Sequence, residues 1–222
     1  MGVESVRFLM RLSQPDRIRC TRNTPSYRFG ALSPSSLQEI NQMPERIIFR
    51  AGEATVFAAE GQATDAMPEI LIGAVDGPVG QAFATMMGQS AGHTRMFAIR
   101  ACNQLVRPAT LMVPKVTIKD SATVNLFGGV VQSATADAVL DCVIEGIIPI
   151  YQVYDLCIIS LIWIDPQCVK DPNRDDQDLY RTNYEATKLA IQRAMNNEPT
   201  IEELMANRHA IKHDLYDPED GG

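Results

Sequence analysis

From Arg46 onward, apolar runs of strand length alternate with longer stretches in which apolar residues recur every three or four positions. Short apolar runs between turn residues predict β-strands, and the longer period predicts amphipathic helices. Pro114 favours an edge position or a bulge for its strand, because proline has no N–H to donate to a ladder. The predicted strands are residues 47–50, 54–59, 70–75, 95–101, 111–118 and 156–164.

The helical pattern occurs in three separate stretches. The first begins at Asp76-Gly77-Pro78, with Asp76 as the expected cap, and ends before Gly92. The second covers residues 130–145 and stops at Gly146, and the third covers residues 175–197. Arg181 and Glu185 lie one turn apart on the polar side of the third helix. Helices interleaved with strands predict a layered α/β or α+β domain.

Residues 1–44 differ from the rest, with six arginines against three acidic residues and a cluster of prolines and serines. We interpret them as a flexible basic extension before a domain of residues 45–199, with residues 200–222 helical and then acidic. A signal peptide is not predicted, because no cleavage site follows an adequate apolar core. A transit peptide and a translation start at Met43 remain open alternatives.

Composition narrows the classes of function. The net charge of -7 offers no basic face for nucleic acid. The longest apolar run, residues 156–164, is far below the roughly 20 residues that span a bilayer, so no membrane helix is predicted. The five cysteines include no Cys-x-x-Cys pair, which argues against a zinc site or a disulfide framework. We expect Cys142 and Cys157 to pack as small apolar residues. This cysteine pattern suits a cytoplasmic protein.

Several short sequence motifs between Arg46 and Pro199 match, in the same order, those of a known protein family. They are Gly52-Glu53-Ala54, Gly77-Pro78-Val79-Gly80-Gln81-Ala82-Phe83, Ser90-Ala91-Gly92-His93-Thr94, residues 111–118, Glu145-Gly146-Ile147-Ile148-Pro149 and residues 183–194. In these strings the chain resembles the formaldehyde-activating enzyme family, a group of hydro-lyases. The family condenses formaldehyde with tetrahydromethanopterin in one-carbon metabolism and is associated with methylotrophy.

The resemblance implies a compact α+β sheet-and-helix domain like the second domain of ribosomal protein S five, with a left-handed βαβ crossover. It also implies a homopentamer, with the pterin in clefts between neighbouring subunits. Tetrahydromethanopterin is then expected as co-substrate or ligand, with no covalently bound cofactor. A mixed pentamer with a paralogue is an alternative assembly.

The family string Ala-His-Ile-Asp-Leu falls on Ala66-Met67-Pro68-Glu69-Ile70. Met67 therefore stands where the resemblance implies a catalytic histidine, and Glu69 where it implies a substrate-contacting aspartate. A thioether has no exchangeable proton, so Met67 cannot act as a general acid. Pro68 also favours an extended Met67, which indicates a reshaped pocket. The other implied substrate contacts are Phe97, Lys115, Thr117 and Gln132.

The implied reaction requires an acid, because the carbinolamine formed from an amine and formaldehyde must lose hydroxide before the ring closes. Glu69 is a substitute proton donor if burial raises its pKa, and Lys115 is a second candidate that stabilises developing negative charge. We therefore expect binding of the pterin with catalysis reduced or lost. The alternative is a non-catalytic paralogue that binds pterin, regulates, or assembles into mixed pentamers.

Each candidate also has a purely structural interpretation. Lys115 and Thr117 alternate with apolar neighbours, as on the polar face of a half-buried strand. Gln132 follows Gly128-Gly129, as a surface residue near a helix terminus does. His209 and His213 share a helical face but have no third ligand, so no metal site is predicted. His93 is expected to be a turn or interface residue.

Overall fold

The computed structural model describes residues 45–89 and 95–212. The predictions for the extension 1–44, the start at Met43, the string around His93, and His213 with the acidic tail lie outside the described residues. The proposed domain bounds stay predictions.

The sheet has five strands in the order β1-β2-β7-β6-β3. β6 and β7 are parallel, and the other neighbours are antiparallel. A separate hairpin pairs β4 with β5. The strands are β1 (Arg50–Glu53), β2 (Glu69–Ala74), β3 (Met96–Phe97), β4 (Ile99–Ala101), β5 (Gln104–Leu105), β6 (Ala109–Pro114) and β7 (Leu156–Ile162).

Helices cover both faces of this sheet. Helix α1 packs on one face, and α3 and α5 pack on the other. A π-helical turn, Phe127–Val131, joins α2 to α3 without a break, and Ile150–Gln152 form a 3-10 turn. The helices are α1 (Pro78–Gly88), α2 (Ser121–Leu126), α3 (Gln132–Ile144), α4 (Pro166–Lys170), α5 (Asp176–Asn196) and α6 (Ile201–Asn207).

Alternation along the strands divides the core between the two faces. Ile158 and Ile162 of β7 face the large cluster under α3 and α5, with Phe127 and Ile191. Cys157 and Ile159, at the intervening positions, face the smaller cluster under α1. The mixed sheet with helices confirms the predicted α+β class. β6 and β7 are the parallel pair joined through a helix, and the left-handed sense of that connection stays a prediction.

Four of the predicted strands are wrong in extent. The strand predicted for residues 47–50 overlaps β1, at Arg50–Glu53, only at Arg50. Residues 54–59 form only an isolated bridge, Val56 to Ala66, because the next amides donate to carboxylates: Ala58 to Asp65 and Ala59 to Asp178. Residues 95–101 divide into β3 and β4 at Ala98, whose N–H donates to Thr110 of β6 while its carbonyl accepts from Val106.

The strand predicted for residues 111–118 ends at Pro114, so Lys115 and Thr117 do not lie on a strand. β6 is also an interior strand, contrary to the edge position that Pro114 favoured. The proline is tolerated because β3 pairs only with Leu111 and Met112 and does not extend to Pro114.

The helix predicted for residues 130–145 begins at Ser121, where Asp120 accepts a bond from the Thr123 amide as the cap. The π-helical turn carries the chain through Gly128-Gly129, so Gln132 lies within a continuous helix and not at a terminus. Asp76 does not cap α1 by a side-chain bond, since Gly77 is the N-cap and Asp76 pairs with Arg46.

The continuous helix Ser121–Ile144 is long and apolar enough, by length and composition, to cross a membrane. In the domain, 44% of the most apolar 18-residue stretch of this helix is buried, and α3 packs against α5. Core helices of globular proteins can have the same length and apolar composition, so this single helix is weak evidence for a membrane span. The cytoplasmic location stays a prediction.

A ladder of side-chain bonds fixes the register of α3 against α5. Each rung joins residues 43 apart, so the two helices run in the same direction. The phenol of Tyr180 donates to Asp137, which also pairs with Arg100. Burial first, and then the Asp137 carboxylate, raise the pKa of Tyr180 to about 12. The rungs are Tyr180–Asp137 at 2.7 Å, Tyr184–Asp141 at 2.6 Å and Lys188–Glu145 at 2.5 Å.

The buried cysteines act as small apolar residues, as predicted for Cys142 and Cys157. Burial raises the pKa of Cys142 to about 12 and the pKa values of Cys157 and Cys168 to about 11. These thiols therefore stay protonated and unreactive at neutral pH.

Ser160 gives a stability prediction. Its side chain is buried in β7, and its hydroxyl oxygen has no hydrogen-bond partner among the described residues. Ser160→Ala should raise the free energy of unfolding by about 1 kcal/mol, because an unpaired buried hydroxyl is costly. Chemical denaturation measures the change.

The matched control is Thr182, another buried hydroxyl, which donates to the Thr64 carbonyl at 2.5 Å. Thr182→Val should lower the free energy of unfolding by about 1 kcal/mol, since the carbonyl loses its donor. If Ser160→Ala lowered the free energy of unfolding as much as Thr182→Val, the Ser160 hydroxyl could not be unpaired in the folded protein.

Candidate active site

Glu69 and Lys115 form the centre of the candidate site, although they are 46 residues apart in sequence. Lys115 Nζ donates to Glu69 Oε1 at 2.6 Å. The strand register brings them together, because Glu69 pairs with Leu161 of β7 and Leu161 pairs with Val113 of β6. The amide of Lys115, just past β6, donates to Ile162 and continues this alignment. The two side chains therefore meet across β7.

This ion pair lies on the face of the sheet that carries α1. Alternate residues of an extended chain point to the same face, so Glu69 shares the face of Leu71, and Lys115 shares that of Val113. Both apolar residues pack against the cluster under α1. Leu71, Val113 and Leu161 are half-buried there. They form an apolar floor beside the ion pair. Sequence reasoning missed Leu161, because a strand that is apolar throughout gives no signal for which residue stays accessible.

Met67 is half-buried and precedes the start of β2 by two residues. The chain here runs beside residues 54–56, since Ala54 donates to the Pro68 carbonyl and Val56 pairs with Ala66. Alternation along an extended chain places Met67 on the same side as Glu69. The position where the resemblance implies an acid therefore lies two residues before Glu69 and on its side of the chain, with a thioether in place of an acid.

Phe97 also faces α1, and its ring lies 5.9 Å from that of Phe83. It pairs with Leu111 of β6, four residues before Lys115, which is about 13 Å along an extended chain. Phe97 thus shares the face of the ion pair but lies at a distance from it.

Gln132 and Thr117 are placed elsewhere. Gln132 belongs to α3, on the opposite face of the sheet, and its Nε2 donates to the Phe97 carbonyl at 2.7 Å. Thr117 is exposed in the loop after β6 and lines a separate cavity. One copy of the chain therefore brings Glu69 and Lys115 together, with Met67 and Phe97 on the same side, and leaves Gln132 and Thr117 apart.

The exposure of the ion pair limits its chemistry. The Glu69 side chain is 53% exposed and that of Lys115 is 29% exposed. The burial that would make Glu69 a proton donor is therefore absent in the single chain. The Lys115 ammonium is the more enclosed partner and is a hydrogen-bond donor. The pair can hold an oxygen that develops negative charge.

The described residues contain no group of three metal-ligating side chains. His209 is in the described range, near the end of α6, and His213 is not.

Comparison with known proteins identifies the family. The sequence model described as formaldehyde-activating enzyme (Fae) matches residues 51–216. Three similar relatives are each named bifunctional enzyme Fae/Hps. The chain is 43% identical over 164 residues to the one from Methanococcoides burtonii, which covers 73% of the chain and 39% of the relative. For Methanosarcina mazei the identity is 40%, over 75% of the chain and 41% of the relative. For Archaeoglobus fulgidus it is 37%, over 74% and 40%.

The chain thus spans about 40% of the length of these curated relatives. The family match covers residues 51–216 out of 222, which is more than half of the chain. It includes the elements that carry Met67, Glu69 and Lys115. The chain therefore belongs to the formaldehyde-activating enzyme family.

Proposed function

We propose that the chain binds tetrahydromethanopterin beside the Glu69–Lys115 pair, in the one-carbon metabolism of its family. The family reaction joins formaldehyde and the pterin to give methylene-tetrahydromethanopterin and water. We further propose that acid catalysis of this reaction is reduced or lost here, because Met67 holds no proton. The observation that carries the proposal is the 2.6 Å ion pair of Lys115 and Glu69. It lies two residues from Met67 and beside the half-buried Leu71, Val113 and Leu161.

The chemistry assigns a part to each residue of this group. Attack of a pterin nitrogen on formaldehyde gives a carbinolamine, which must lose its oxygen as water. In this proposal the Lys115 ammonium holds that oxygen, and Glu69 orients the ammonium through their 2.6 Å hydrogen bond. The apolar floor of Leu71, Val113 and Leu161 offers a surface for a flat ring. Met67 contributes packing but no proton.

The cleft requires a second copy of the chain in this proposal. Gln132 and Glu69 lie on opposite faces of the sheet, so one copy cannot direct both at a single pterin. We propose a homopentamer in which each cleft takes Glu69 and Lys115 from one copy and Gln132 from its neighbour. Exposed apolar side chains give such an assembly surfaces to bury: Ile48, Phe49, Ile150, Tyr151 and Tyr154.

Calorimetric titration of the full chain with tetrahydromethanopterin tests the binding step. Lys115→Ala should weaken binding by about tenfold, because an enclosed charge contact to the ligand is lost. Lys188→Ala is the control, since Lys188 forms a similar ion pair, with Glu145, on the α3–α5 ladder. Absence of saturable binding by the unsubstituted chain would contradict the proposal, and so would equal effects of the two substitutions.

A further inference from the structure

A cavity of about 420 Å³ lies between the loop after β6 and the segment that follows β7. Its apolar wall is formed by Val116, Ile164 and Val169, and two lysines, Lys119 and Lys170, also line it. Thr117 is the member of this lining that the family resemblance implies as a substrate contact. The volume lies in the range of small-molecule sites, about 300–1,000 Å³.

The two lysines of the lining have no carboxylate partner within salt-bridge distance among the described residues. Lys115 and Lys188 each form an ion pair, with Glu69 and Glu145. Lys119 and Lys170 form no ion pair within 4.0 Å in the part of the chain that the structure describes. The lining therefore carries two ammonium groups against one carboxylate, Asp120. The excess of one positive charge gives the cavity a local positive potential.

The carboxylate in the lining is already committed to the fold. Asp120 accepts from the Thr123 amide at 2.7 Å and from the Thr123 hydroxyl at 2.9 Å. These bonds to Thr123 lower the pKa of Asp120, and Lys170 adds a smaller attraction from a greater distance. The Asp120 charge is therefore held at the start of α2, and the lysines remain available to a ligand.

We propose that this cavity binds the phosphate-monoester end of an organic ligand, with Lys119 and Lys170 on the phosphate and Val116, Ile164 and Val169 against the adjoining carbon skeleton. Two ammonium groups match the two charges of a phosphate monoester, and lysine binds phosphate as a point charge. The cavity is separate from the Glu69–Lys115 site, because its wall residues Ile164 and Val169 belong to the cluster under α3 and α5, on the other face of the sheet. The phosphate site therefore does not rest on the proposed function.

Titration with phenyl phosphate, which combines an aromatic ring with a phosphate, tests the site. The full chain should bind this probe saturably, and the double variant Lys119→Gln/Lys170→Gln should bind it at least about tenfold more weakly. The control Arg208→Gln/Lys212→Gln removes the same charge from exposed residues outside the cavity. It should keep the affinity within about twofold.

The possible results distinguish binding at this cavity from a general effect of the protein's net charge. No saturable binding of phenyl phosphate would overturn the proposal. Equal weakening in both double variants would also overturn it, because the effect would then follow net charge and not the cavity. Phenol serves as the uncharged probe and should bind at least about tenfold more weakly than phenyl phosphate if the lysines carry the recognition.

Discussion

Met67→His should raise the rate of methylene-tetrahydromethanopterin formation by about 100-fold over the unsubstituted chain, the lower end of what a positioned general acid contributes. The side chain at position 67 is half-buried and lies on the same side of the chain as Glu69. An imidazolium there borders the Lys115 ammonium that holds the leaving oxygen. The substitution supplies a proton donor to a group of residues that otherwise lacks one.

Met67→Gln is the matched control, because glutamine is of similar length and polar but donates no titrating proton. It should leave the rate near that of the unsubstituted chain. The gain in Met67→His should also decline as the pH rises above about 6.5, where imidazolium loses its proton. Equal rates for the histidine and glutamine variants, with pterin binding retained, would show that proton donation is not the missing step.

Gly52→Ala should lower the free energy of unfolding by about 3 kcal/mol, at the upper end for an overpacked core site. A Cβ at this position would lie 2.3 Å from the Ala190 carbonyl oxygen and 2.6 Å from the Ala194 amide nitrogen. Both contacts are backbone atoms of α5, so no side-chain rotation relieves them. β1 can approach the helix this closely only with glycine.

Gly88→Ala is the control for the loss of glycine itself. Gly88 ends α1, and an added Cβ there meets nothing within 4 Å. Its effect on thermal and chemical unfolding should stay within about 0.5 kcal/mol. A Gly52→Ala variant as stable as Gly88→Ala would contradict the close packing of β1 on α5.

Local signals predicted the elements that have strong boundaries. Helix α5 lies within one residue of its prediction at each end, because Asp175 caps its start and Asn197 ends it in the left-handed conformation with φ of 54°. β2 and β7 were predicted nearly as well from uninterrupted apolar runs. Residues 121–129 were not predicted as helix, because Gly128-Gly129 is typical of a helix end. In the structure a π-helical turn, Phe127–Val131, carries the helix through both glycines.

The candidate site depended on information that no local pattern holds. The resemblance supplied Glu69 and Lys115, but their contact follows from the register of β2, β7 and β6. The separation of Gln132 from Glu69 follows from which face of the sheet α3 covers. No sequence pattern marks Lys119 or Lys170 as a binding residue. They line one cavity because the segment that follows β7 packs beside the loop that follows β6.

A crystal structure of the chain with tetrahydromethanopterin tests the central claim most directly. We predict the pterin ring over Leu71, Val113 and Leu161, with its reacting nitrogens beside Lys115 and Met67 and with Gln132 of a neighbouring copy at its edge. A pterin bound on another surface, or a saturated crystal without pterin beside the Glu69–Lys115 pair, would contradict the account.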